Sequence, residues 1–415
     1  MSAGTASPES ELAPDALRVE IAGGGSLVTR ASEPGVVTLL VAGDTVLSQA
    51  DARQAAVRGT HPWEPMIDVI SQHTWSVANV EAPITGTDAP IVKSGPHLRS
   101  TPGLAEVLKQ GGFNAVSLAN NHVLDMGPTG LSDTLRICDD AGLLRVGAGL
   151  NLREASAPLV LAEAGLSVAI LALAEWEFSI ATPEAPGAAP VRLVETVQMI
   201  RALAAQAETV VVLLHSGAEH YPLPSPGLVR RCHLLVDAGA KAVICHHSHV
   251  PSGAEVYRGA PIVYGTGNFL FPVAVPPTTW WHTGCAVSIR FGRGGAEDCL
   301  LVPHKHRTDS VGVEFLRDDE VGRFAARFAE LSGTIADDVE LGQRWQEHCR
   351  TAAPHYLATA LGLTRVERRL VRMGVWPSWR FPHRRVPGLA NLVRCETHRE
   401  ALVTLLEDEM GRSDG

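Results

Sequence analysis

One pattern, repeated from Val36 to Phe269, limits what this 415-residue chain can become. Short apolar runs rich in Val, Ile and Leu alternate with helix-length segments, and most runs end on, or are followed at once by, a side chain that can carry charge or bind a cation. The runs are VVTLLVAG (36–43), TWSVANV (74–80), FNAVSLAN (113–120), LSVAILALA (166–174), TVVVLLH (209–215), KAVICH (241–246) and APIVYGTGNF (260–269). Segments near 51–58, 102–110, 128–141, 191–206 and 226–238 read as helices between them, with Pro128 suited to a first helical position. Strand-length runs alternating with helices predict an α/β sheet. TPEAPGAAP (182–190) interrupts the rhythm and is expected to be an exposed loop.

Outside this region the pattern fails. Residues 1–34 are rich in Ala, Ser, Glu, Pro and Gly and read as a loosely ordered leader with room for one short strand. Past Asp318 strand signals fade and helical patterns dominate. The expected plan is therefore a leader (1–34), an α/β domain (35–310) and a helical C-terminal appendage (311–415).

With 45% hydrophobic and 19% charged residues the chain can build a sizeable core, which excludes disorder as its main state. A net charge of -10 argues against a general polyanion-binding surface. The exception is TRVERRLVRMGVWPSWRFPHRR (364–385), where seven arginines surround Trp376 and Trp379. It reads as a solvated face beside an Arg-rich loop rather than a nucleic-acid site. The seven cysteines are scattered, with no C-x-x-C pair, as in a reducing compartment. Met1–Leu17 has no Lys or Arg and no apolar run, and no stretch approaches the roughly 20 apolar residues of a membrane span. A soluble cytoplasmic protein with no membrane or nucleic-acid partner is expected.

The chemistry lies where the apolar runs stop. Asp44 follows the first run and Glu81 the second; Asn120, Asn121 and His122 follow AVSLA; His215 ends VVVLL; His246, His247, Ser248 and His249 follow KAVIC. In an open α/β sheet the carboxyl ends of the strands face one crevice, where ligands bind. Oxygen and imidazole donors brought together this way suit a metal ion. A metal-free acid/base cluster is the alternative. Glu219, His220, Trp280, Trp281 and Asn268 follow closely enough to line a substrate pocket, although adjacent tryptophans also serve as interface plugs.

The runs AGDTVL (42–47), ANVEAP (78–83), SLANNHVLDMGPTGLSDTL (117–135), LLHSGAEHYPLPSPG (213–227) and ICHHSHVPSGAEVYRGAPIVYGTGNFLF (244–271) resemble, in that order, the CapA-type branch of the calcineurin-like metallophosphoesterase fold. The resemblance covers about 36–272. It implies a four-layer α/β/β/α sandwich, with Asp44, Glu81, Asn121, His215, His247 and His249 around the metal and His122, oriented by Asp125, facing substrate. The wider phosphoesterase pattern has a His two residues after the first Asp; here that position is Val46. A weakened half-site makes two-metal phosphoester hydrolysis less assured and favours a single cation: Ca²⁺ if the imidazoles stand back, Mn²⁺ or Zn²⁺ if they coordinate. One cation with histidine–carboxylate pairs suits proton transfer beside a carboxylate. His122 with Asp125 is one such pair, and Asp44 with His249 or His247 the other.

CapA-like proteins are associated with carboxylate-rich peptide polymers, and a soluble relative resembles the epimerases that invert the C-terminal residue of lasso-peptide precursors. The expected function is accordingly a metal-dependent peptide epimerase. Its substrate would be a peptide with a free C-terminal carboxylate, with a leader-peptide-binding protein as partner. The alternative is a CapA-like phosphoesterase or a poly-γ-glutamate or capsule synthesis protein.

Overall fold

The computed structural model describes residues 19–21, 35–93, 95–271, 280–308, 310–361 and 386–413. Among them two sheets stack between helices. The larger has the spatial order Val19–Ile21, Gly295–His306, Thr283–Gly292, Val37–Thr45, Trp75–Val80, Ala115–Ser117 and Leu144–Val146. Asn268–Leu270 adds to the Val37–Thr45 strand and Val313–Phe315 to the Gly295–His306 strand. The second sheet runs Ala254–Tyr257, Ala260–Val263, Ala242–His246, Thr209–His215, Leu166–Ala174 and Leu159–Glu163. The central strands of both are parallel, so their carboxyl ends share one edge.

Side-chain alternation produces the layers. In the second sheet Ile170, Ala172, Val211, Leu213 and Ile244 join the core shared with the larger sheet. Their neighbours Leu171, Leu173, Val212, Leu214 and Val243 face Ile200 of the Leu193–Ala204 helix and Leu228, Cys232 and Leu235 of the Pro226–Ala238 helix. Because successive strand residues point to opposite faces, a strand buried on both sides must be apolar throughout, which is why these runs lack polar interruptions. The helices Leu104–Gln110 and Gly127–Asp140 supply Leu104, Leu108, Leu131 and Leu135 to the larger sheet. This is the expected four-layer α/β/β/α sandwich.

Helix starts follow their sequence signals. Ser225 caps the Pro226–Ala238 helix by accepting from Leu228 N at 3.1 Å, with Pro226 where a missing N–H costs nothing. Pro128 likewise opens the Gly127–Asp140 helix.

The expected leader contains the strand Val19–Ile21, parallel to Cys299–Leu301. Two features differ from the sequence reading. The hairpin Thr283–Gly292 with Gly295–His306 forms a large part of the first sheet, although its mixed polarity gave no clear run. Val313–Phe315, inside the segment expected to be purely helical, is a strand of that sheet. Beyond it the helices Asp318–Ile335, Asp338–Leu361, Val386–Arg394 and Glu396–Ser413 follow. They dock firmly: Trp345, Cys349, Leu392, Ala401 and Leu405 pack with Ala218, and Glu400 accepts from Ser225 Oγ and Gly227 N, both at 2.7 Å. The basic stretch 364–385 lies outside the described residues.

All seven cysteines are free and buried. No helix among the described residues is long and apolar enough to cross a membrane.

Candidate metal centre

Asp44 reaches the shared edge on the Val37–Thr45 strand, and Gly43 makes its position possible. A Cβ at Gly43 would lie 2.0 Å from Gly267 O, so strand and turn can approach only where there is no side chain. Asp44 N then donates to Gly267 O at 3.2 Å. Across the parallel register Asn79 sits opposite Asp44 and donates from Nδ2 to Oδ1 at 2.7 Å. The other carboxylate oxygen accepts the His247 backbone N–H at 3.3 Å and lies 3.3 Å from His249 Nδ1.

Glu81 follows the end of its strand and is completely buried. Its Oε1 is 3.4 Å from His215 Nε2 and 3.6 Å from His249 Nε2, yet neither carboxylate oxygen has a hydrogen-bond partner. His215 Nε2 lies 3.1 Å from Asn121 Oδ1. His247 and His249 adopt left-handed backbone angles, φ 87° and 57°. For non-glycine residues such conformations cost about 1–3 kcal/mol each and concentrate at functional sites.

Two triads result. Ligand atoms of Glu81, His215 and His247 lie within 4.8 Å of one another, as do those of Asp44, Glu81 and His249, so Glu81 is common to both. The donors fit a divalent cation. A buried carboxylate whose two oxygens accept no hydrogen bond is suited to a cation, and the surrounding oxygens and imidazoles suit Mn²⁺ or Zn²⁺, or Ca²⁺ with fewer nitrogens. Val46, where the wider pattern has a histidine, packs with Ala82, Phe271 and Trp281 in an apolar cluster. The Asp44 side therefore has one imidazole fewer.

The electrostatics carry the same imprint. Burial, then the charge of Asp44, pushes the Glu81 carboxyl well above the ordinary range, with His249 opposing. Burial also works against ionisation of Asp44, but its hydrogen bond to His249 and the charges of His249, His246 and His215 hold it well below that range. For His249 burial is outweighed by Glu81 and Asp44, and its pKa rises to about 10. Burial, then the charge of His247, drives His215 far down.

His122 lies beyond the Ala115–Ser117 strand in a tight turn where Asn120 Oδ1 accepts the His122 N–H at 3.1 Å. Its Nδ1 is 2.7 Å from Asp125 Oδ2, which also accepts from Leu98 N at 2.6 Å. In the tautomer whose Nδ1–H donates to Asp125, Nε2 is left bare. Burial lowers the His122 pKa, Asp125 opposes this, and Lys93 reinforces it.

The remaining expected residues separate. Glu219 and His220 are exposed at the rim, on a loop whose Ala218 packs against the C-terminal helices. Burial among neighbouring atoms disfavours a charged Glu219, but His247, His249, His122 and His220 together bring its carboxyl down to about 2. Trp281 is buried, its ring centroid 4.7 Å from that of His249 and 5.0 Å from that of His220. Two expectations are corrected. Asn268, read as touching substrate, is fully buried and holds His249 instead, Oδ1 to Nδ1 at 2.9 Å. Trp280 packs on the C-terminal helices, against Phe324 and with Arg327 4.6 Å from its ring, as the interface plug.

Three residues escaped the sequence reading. Asn79 sits in the quoted ANVEAP run, but only the register shows it gripping Asp44. Lys93, from the loop between Thr85 and Arg99, buries its side chain against Asp125 and lies 3.0 Å from His122 Nδ1. Glu177, three residues past the Leu166–Ala174 strand, accepts from Asn121 Nδ2 at 3.2 Å. The strand-end rule that found Asp44 and Glu81 points to Glu177 as well.

Residues 38–273 match the family model described as bacterial capsule synthesis protein PGA_cap. This chain belongs to that family. It is 34% identical to the capsule biosynthesis protein CapA of Bacillus anthracis over 181 residues, covering 42% of this chain and 44% of that protein. To the PGA biosynthesis protein CapA of Bacillus subtilis (strain 168) it is 33% identical over 178 residues, covering 42% and 47%. It thus spans under half the length of either relative. Among solved structures, the calcineurin-like phosphoesterase YfkN from Bacillus subtilis aligns with 72% of this chain and 97% of its own at 14% identity, with a TM-score of 0.39.

Proposed function

We propose that this PGA_cap-family chain is a metal-dependent enzyme acting on a peptide that carries a free carboxylate, and that its reaction is proton exchange at the carbon beside that carboxylate, inverting it. The supporting observation is the coexistence of a cation-ready triad with two histidine–carboxylate couples, His122–Asp125 at 2.7 Å and His249–Asp44 at 3.3 Å. Glu81, His215, His247 and Asn121 would hold the ion. When bound, a divalent ion would stabilise negative charge gathering on the substrate carboxylate as the neighbouring proton leaves.

The residues of the chain supply the rest. His122 Nε2, bare because Nδ1–H is committed to Asp125, takes the proton from Cα. His249, paired with Asp44 on the side without the extra imidazole, returns a proton, and delivery to the opposite face inverts the centre. Trp281 shields this couple from solvent, and Glu219 and His220 meet the peptide at the rim. The substrate of choice is a peptide's C-terminal residue in peptide natural-product biosynthesis, as for lasso-peptide precursors. A leader-peptide-binding protein would deliver it.

A second reading has the greater support from the comparisons. The matched family and the two CapA relatives are named for capsule or PGA biosynthesis. In that reading the peptide is poly-γ-glutamate, or the two triads sharing Glu81 each take an ion and the reaction is phosphoester hydrolysis.

Incubation in deuterated water separates the readings, using linear peptides with free C-terminal carboxylates, poly-γ-glutamate oligomers and p-nitrophenyl phosphate. Epimerisation adds one deuteron at the terminal Cα and creates a D-residue with all bonds intact. Shortened or extended poly-γ-glutamate, or p-nitrophenol release abolished by His122→Ala, supports the second reading instead. Unchanged substrates throughout would defeat both.

A further inference from the structure

Glu177 lies three residues past the Leu166–Ala174 strand, and the family match gives it no role. Its Oε2 accepts from Asn121 Nδ2 at 3.2 Å, and its Oε1 lies 3.6 Å from His247 Nε2. The first contact settles an ambiguity. An amide that donates from Nδ2 to Glu177 must turn Oδ1 the other way, and Asn121 Oδ1 is found 3.1 Å from His215 Nε2, beside the Glu81 triad. The His247 contact, at 3.6 Å, is an electrostatic pairing rather than a hydrogen bond, and His247 Nδ1 is buried with no hydrogen-bond partner. One carboxylate thereby orients the Asn121 amide by a hydrogen bond and sits beside the His247 imidazole, both next to the Glu81 triad.

The placement of Glu177 depends on the C-terminal helices, which lie beyond the family match. Glu175, two residues earlier, accepts from Cys395 Sγ at 2.9 Å and from Thr397 Oγ1 at 2.5 Å, and pairs with Arg231 at 3.0 Å. Trp176 N donates to Glu396 Oε2 at 3.3 Å. Residues 395–397 therefore clamp the turn from which Glu177 extends.

We infer that Glu177 is the positioning residue of the Glu81–His215–His247 half-site, orienting Asn121 and His247 toward the cation, and that the Cys395–Thr397 segment holds it in place. The inference rests on the cation reading of that triad. Outer carboxylates of this kind fix ligand orientation, and their loss typically weakens metal affinity about 10- to 100-fold.

Calorimetric titration of Mn²⁺ into the metal-stripped full-length protein tests it, with thermal melting of each metal-free variant as the check on folding. Glu177→Ala is expected to weaken binding by about 10- to 100-fold. The shape-preserving Glu177→Gln weakens it in the same direction, and Thr397→Val does so through the clamp. A dissociation constant within about twofold of wild type in Glu177→Ala, or in Glu177→Gln if the alanine variant melts early, overturns the inference. An unchanged constant in Thr397→Val removes the C-terminal segment from it. If wild-type protein binds no Mn²⁺, the cation reading falls and the inference with it.

Discussion

His122 and Asp125 stand three residues apart on one turn with Nδ1 and Oδ2 separated by 2.7 Å, and both are buried. So close a contact fixes the ring and commits one nitrogen, which makes the other available for proton transfer. His122→Ala should lower kcat by about 10²- to 10⁴-fold with little change in KM, because it removes a group that acts in the transition state. Asp125→Asn should fall in the same direction, since an amide can present its NH₂ to Nδ1 and favour the wrong tautomer. Steady-state kinetics of both variants on the peptide that exchanges deuterium is the check. A KM effect with kcat intact would make His122 a binding residue.

Glu175 gives the fold a specific pH dependence. Burial disfavours its charged form, but Arg231 and the hydrogen bonds from Cys395, Ser216 and Thr397 outweigh this and bring the pKa from 4.5 to about 2. Because the folded value is depressed, this stabilisation is complete above pH 4.5 and is lost as pH falls from there toward about 2. Glu175→Gln should cost about 3–5 kcal/mol near neutral pH, since it strands the Arg231 charge, and should flatten the acid limb of the stability curve. Denaturant melts across that pH range would reveal an unchanged limb if the network contributes nothing.

Gly43→Ala should be among the most damaging single-methyl changes in the chain. The added carbon would meet Gly267 O at 2.0 Å, backbone against backbone, where no side-chain rotation gives relief. Overpacking of this kind costs about 1–3 kcal/mol or more. Thermal melting should show the loss, and Mn²⁺ affinity should fall with it because Asp44 is the next residue. A variant that melts and binds like wild type would mean that the strand and turn can separate freely.

Much of this was legible in the sequence, for one physical reason: a strand buried on both faces must be apolar, so the first polar residue after it marks the sheet edge. That rule brought Asp44, Glu81, Asn121, His215, His247 and His249 to one place from five runs. It was silent where position depends on register or on loops. Asn79 faces Asp44 only because the strands align as they do. Lys93 reaches Asp125 from a loop with no periodicity. The hairpin 283–306 carries polar residues among its apolar ones and so lacked the signature of a doubly buried strand. Asn268 and Trp280 were expected to line a substrate pocket, whereas Asn268 Oδ1 lies 2.9 Å from His249 Nδ1 and Trp280 packs against Phe324, because sequence proximity does not say which way a side chain turns.

The central claim is that the buried, unpartnered Glu81 carboxylate exists to hold a cation. Its most direct test is the metal content of purified protein, by elemental analysis, for wild type beside Glu81→Gln. A bound divalent ion that Glu81→Gln loses, with its fold intact, is the predicted result. Wild-type protein that retains no divalent ion, even after equilibration with Mn²⁺, Zn²⁺ and Ca²⁺, would contradict it.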